Sequence, residues 1–147
     1  MEPSEEQDRI RRSAECFNLT WDLLVKPERS KEEDAEMVRL AQESLEHWVQ
    51  RADVTDRNRS IGHWLVSRAC AVAGRHAEAW EHGLQALEFA REDTPFYLGY
   101  AHEALARAAK GLRRQQALEE HLREARALAS QVQDAEQRLM LRGDLEW

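Results

Sequence analysis

The sequence predicts an all-α protein of about seven helices, joined as antiparallel hairpins. Three observations carry this. Alanine, leucine, glutamate and arginine dominate, and all are strong helix formers. No stretch alternates apolar and polar residues as a half-buried strand would. Glycine numbers six and proline three, too few for a turn-rich all-β chain. At 147 residues the chain suits a single domain. Hydrophobic residues make up 42% and charged residues 33%, which fits a packed core under a densely charged surface.

The first helix is expected from about Glu5 to Val25, with Ile10, Ala14, Phe17, Trp21 and Leu24 on one stripe. Pro27 ends it. Ser30 opens the second helix with Glu33 three residues on, a capping box in which each side chain answers the other's free backbone N–H. Its apolar stripe is Met37, Leu40, Ala41, Leu45 and Trp48. Polar residues from Ala52 to Ser60 read as a loop, and a third helix follows from about Asn58 to Ala73. Gly74 suits a left-handed helix end, where a side chain would clash. The fourth helix covers about Ala77 to Arg91. Thr94 can cap the fifth, and Pro95 fits its first turn because no N–H is needed there. The fifth runs to about Gly111 and the sixth from about Arg114 to Val132. Asp134 with Gln137 opens a short last helix toward Trp147. Short connections make neighbouring helices antiparallel.

The central four helices read as two copies of one pair. Aligning His63 with His102, a spacing of 39, places Val66 on Leu105, Ser67 on Ala106, Cys70 on Ala109, Ala79 on Leu118 and Ala86 on Ala125. Aligning Gly74 with Gly111 instead sets Glu103 opposite Val66 and Arg107 opposite Cys70, which are charges at core positions and expensive to bury. The first register is therefore preferred. It leaves Arg113 where the first copy has Gly74.

Small Ser67 and Ala106 within the first helix of each copy, Gly74 at the turn, and Ala79 and Ala86 in the helix after it resemble a tetratricopeptide repeat, a helix–turn–helix unit of about 34 residues. A wider resemblance is to a family of uncharacterised bacterial tetratricopeptide-like proteins. It rests on Glu15-Cys16-Phe17-Asn18-Leu19-Thr20-Trp21, His47-Trp48, Trp64 with Ser67-Arg68, and Tyr100 through Ala108. The resemblance implies a right-handed stack of helix hairpins and no particular activity. Residues 1–147 then form one helical-repeat domain: 1–52 a diverged first pair, 58–132 two tetratricopeptide-like units, and 134–147 a capping helix.

That stack has a concave face lined by the first helix of each unit. The resemblance places Ile61, Trp64, Arg68 and Ala71 there from one unit, and Tyr100, Glu103, Arg107 and Lys110 from the next. Trp64, Arg68, Tyr100, Glu103 and Arg107 are the candidate ligand- or peptide-binding residues, since tryptophan, tyrosine and arginine carry most interface energy. The plainer alternative is that Trp64 and Arg68 stack while Glu103 and Arg107 form a helix-surface ion pair. Trp21 and Trp48 read as core, and Trp147 as a final plug or an exposed contact.

Other chemistry is poorly supported. The six histidines show neither H-E-x-x-H nor a pair four apart, so no metal is expected. Glu43 with His47 and Glu78 with His82 read as helix-surface hydrogen bonds, and His63 and His102 as packing residues. Cys16 and Cys70 fall at packing positions and read as inert thiols. No P-loop, dinucleotide fingerprint or nucleophile elbow is present, so no cofactor and no catalytic residue is expected.

A net charge of −7 argues against a nucleic-acid partner held on a basic face. No apolar run reaches the roughly 18 residues of a membrane span. The acidic start, Met1 to Glu6, lacks the apolar core of a secretory signal, so the expected compartment is the cytoplasm. The leading expectation is a non-enzymatic module that holds a protein or peptide in its concave groove. The alternatives are a self-associating protein, such as a homodimer, and a small-ligand receptor or enzyme in which Glu103 and Tyr100 meet His47 or His82.

Overall fold

A computed structural model describes residues 2–147. Seven helices are present among the described residues and no strand: α1 (Glu5–Leu24), α2 (Lys31–Gln50), α3 (Asp56–Val72), α4 (His76–Ala90), α5 (Pro95–Gly111), α6 (Gln115–Gln131) and α7 (Ala135–Asp144). Each helix packs on the next. In addition, α3 packs on α5, and α7 on both α5 and α6. The main core joins Met37, Val38 and Ala41 of α2 to Leu65, Val66, Ala69 and Cys70 of α3, with Ala79 of α4 and Ala108 of α5.

The helix starts follow local chemistry. Capping boxes stand at Ser4/Gln7, Ser30/Glu33 and Thr55/Asn58. The last of these starts α3 at Asp56, inside the stretch expected to be a loop. Thr94 precedes α5 without a side-chain cap; the Asp93 carboxylate accepts from the Thr94 N–H instead. Asp134 caps α7 through the Gln137 N–H, and that helix ends at Asp144, short of Trp147.

The buried line of α1 differs from the apolar stripe. Ser13, Cys16 and Thr20 are buried, while Ile10 is 39% exposed. The two hydroxyls enter the interior because Ser13 donates to the Ile10 carbonyl and Thr20 to the Cys16 carbonyl. Trp21 packs partly buried against the main core, and Trp48 is half-buried beneath the Arg51 guanidinium, 4.0 Å from its ring centroid.

The 39-residue register is visible in the backbone. Gly74 has φ +82° and Arg113 φ +58°, so both turns use the left-handed region. Arg75 N–H donates to the Cys70 carbonyl at 2.8 Å, and Arg114 N–H to the Ala109 carbonyl at 2.9 Å. The second turn therefore closes without glycine, at the steric cost a side chain carries there.

Each hairpin also holds a histidine pair. His63 on α3 meets His82 on α4, and His102 on α5 meets His121 on α6, with Nδ1 to Nδ1 at 3.0 Å in both. One ring must donate and the other accept, so the neutral forms satisfy each other. Burial lowers the pKa of all four rings, that of His63 to about 4. His82 thus bonds within its hairpin and does not act through Glu78. Likewise Glu43 accepts from the Cys16 thiol at 2.6 Å and pairs with Arg12. Cys16 and Cys70 are fully buried, and burial first of all raises both thiols to about 11, as inert packing thiols require.

Candidate functional site

Helices α3 and α5 lie side by side, and residues three and four apart on each share a face. Ile61, Trp64 and Arg68 of α3 and Tyr97, Tyr100 and Ala101 of α5 therefore point into one hollow. Its volume is about 410 Å³. Trp21 of α1 borders it on one side, and Met140 and Asp144 of α7 border it on another. The approach of α7 depends on Gly99, where a Cβ would stand 2.6 Å from Leu141 Cδ2.

Aromatic rings form most of the wall. Trp64 stacks on Trp21 with centroids 5.9 Å apart and meets the edge of Tyr100 at 5.5 Å. Phe96 lies edge-on to Tyr100 at 5.1 Å. The Tyr100 hydroxyl donates to Asp144 Oδ2 at 2.6 Å. Burial, and then that bond, raise the pKa of the phenol, so it remains a donor.

Beneath the hollow lies Glu103, with no exposed surface. Its Oε1 accepts from Trp64 Nε1 at 3.1 Å and its Oε2 from Arg107 Nε at 2.9 Å. Arg68 Nη1 lies 3.7 Å from Oε1, within ion-pair range but beyond a hydrogen bond. That Nη1 is buried and has no hydrogen-bond partner among the described residues. Burial first, and the neighbouring Arg107 second, lower the pKa of the Arg68 guanidinium. Two arginines thus share one interior carboxylate whose oxygens are already engaged.

Three of the five predicted residues, Trp64, Arg68 and Tyr100, line the hollow. Glu103 does not; it anchors Trp64 and Arg107 from behind and is no helix-surface partner. Arg107 faces another recess with Lys110, where both cations stand over Trp147, at 5.4 and 5.3 Å from its centroid. Ala71 packs against the core. His82 is held by His63, so it does not join Glu103 and Tyr100 in a pocket. The aromatic run Phe96-Tyr97 beside Tyr100 was a readable signal for this wall. Met140 and Asp144 gave none, because only the docking of α7 brings them in.

The site offers a positively charged donor, a carboxylate and aromatic faces around a small volume. Among the described residues no group of three metal-ligating side chains gathers. No helix among them is long and apolar enough to cross a membrane. No protein-family model matches the chain, nor does any curated protein or solved structure.

Proposed function

We propose that this chain is a non-enzymatic binding module, built as a tetratricopeptide-like stack, whose hollow between α3 and α5 holds a compact apolar group of its ligand. The matching turns and histidine pairs, 39 residues apart, support the repeat reading. The observation that carries the binding role is the aromatic-walled hollow of about 410 Å³ at the positions where a concave face is expected. That size falls in the range of small-ligand pockets, about 300–1,000 Å³. Trp21 on α1 and Met140 on α7 flank the hollow, which favours a small molecule or a single inserted side chain over a whole helix laid across the face. A protein or peptide partner enters this reading through one anchoring side chain.

The test is purification from the native host, comparing wild type with Trp64→Ala after circular dichroism shows the variant folded. Bound molecules are released by denaturation and identified by mass spectrometry. A small molecule or peptide carried by wild type and absent from the variant is expected. The same bound species at the same level in both would contradict the reading.

A further inference from the structure

The chemistry of the hollow narrows what it can hold, given that it is a binding site as proposed above. Glu103 lies below the wall and is already bonded to Trp64 and Arg107. Arg68 lines the hollow with about 20% of its side chain exposed, and its Nη1, 3.7 Å from Glu103 Oε1, is buried with no hydrogen-bond partner among the described residues. A guanidinium held in the interior without an acceptor is costly, so the site favours an occupant that supplies one to the part of Arg68 facing the hollow. Asp144 also lines the hollow, from α7, where it accepts only from the Tyr100 hydroxyl.

Counting Arg68 and Arg107 against Glu103 and Asp144, the local formal charge is balanced. A simple anion would answer Arg68 but meet Asp144. A simple cation would suit Asp144 and the ring faces but meet Arg68. A molecule carrying both charges satisfies both groups and leaves the balance unchanged. Trp64, Tyr100 and Phe96 add flat apolar surfaces that favour an aromatic body.

We propose that the hollow binds a small zwitterion with an aromatic body, of which a free aromatic amino acid is the simplest. Its carboxylate accepts from Arg68, its ammonium donates to Asp144, and its ring lies among Trp64, Tyr100 and Phe96.

The test is calorimetric titration of the full chain with L-phenylalanine, L-phenylalaninamide, 3-phenylpropionate and 2-phenylethanol. The amide lacks the carboxylate, the propionate lacks the ammonium, and the alcohol lacks both. Phenylalanine is expected to bind at least about tenfold more tightly than either singly charged analogue, because charge-assisted hydrogen bonds are the strong ones. Arg68→Gln removes the preference over the amide, and Asp144→Asn removes the preference over the propionate. Arg68→Lys, which keeps the charge, retains part of the first preference and guards against a folding defect. Equal affinities in wild type, or preferences that survive in both variants, overturn the proposal. If phenylethanol binds and phenylalanine binds no better, the zwitterion is wrong while the compact apolar site stands. If none of the four binds at millimolar concentration, both readings lose their support.

Discussion

The α3–α4 and α5–α6 hairpins are two versions of one design, and they diverge where the candidate site lies. Both have a histidine pair at the same positions, and both make a left-handed turn at the same place. Both place an arginine at the matching position, Arg68 and Arg107. Four positions earlier the first hairpin has Trp64 and the second has Glu103, and the two side chains bond to each other. The contrast shows which residues hold a hairpin and which serve the face between hairpins. A matched pair lies inside each hairpin, whereas a complementary mismatch joins the two hairpins and leaves Arg68 Nη1 without a hydrogen-bond partner among the described residues.

The most damaging way to break this contrast is at Glu103. Glu103→Ala removes the acceptor of Trp64 Nε1 and leaves two arginines without the carboxylate between them. We expect a loss on the order of 3 kcal/mol in urea unfolding, the scale for breaking a buried charge pair. The matching change in the other hairpin, Trp64→Phe, keeps most of the packing and should cost about 1 kcal/mol, the scale of a lost hydrogen bond.

The histidine pairs test the shared half of the design. Their pKa values are lower in the folded chain than the ordinary 6.5, with His63 near 4. The unfolded chain therefore binds more protons between those values, and stability must fall as pH drops from about 6.5 toward 4. Thermal melts across that window should show the decline. Replacing His102 and His121 together with leucine should shallow the slope and leave the contribution of His63 and His82.

The turns offer a finer comparison. Gly74→Ala is expected to destabilise by about 1 kcal/mol and Arg113→Gly to stabilise by up to about 1 kcal/mol, since both positions are left-handed and only one has glycine. Thermal unfolding of the two variants checks the opposite signs. A test of similar size concerns the helix starts. Thr55→Ala should cost about 1 kcal/mol, because Thr55 caps α3, whereas Thr94→Ala should change stability little.

The 39-residue spacing was legible because His63, His102 and the small residues around them keep it. His82 and His121 keep it too, but a spacing alone does not say that two rings face each other across a hairpin. Arg113 was readable only by its position after Gly74, since arginine does not advertise a left-handed turn. The resemblance to tetratricopeptide repeats set Ile61, Trp64, Arg68 and Ala71 of α3 on one face; the first three line the hollow, whereas Ala71 packs against the core. The same resemblance put Glu103 on that face, as a charge for a ligand. Its burial depends on Trp64 of the neighbouring helix, a contact that no local pattern contains. The flanking contributions of Trp21 and Asp144 arise from how α1 and α7 pack, which is likewise tertiary.

The proposed ligand binds between the α3–α4 and α5–α6 hairpins and nowhere else on the protein. Five tryptophan indole N–H groups report on it directly, because they stand at five different places. The most direct measurement is a nitrogen-15 correlation spectrum during titration with L-phenylalanine, with each indole signal assigned by a Trp→Phe variant. Binding in the hollow gives saturable shifts at Trp64 and Trp21, while Trp48, Trp80 and Trp147 stay in place. Shifts centred on Trp48, Trp80 or Trp147, with Trp64 unmoved, would contradict it.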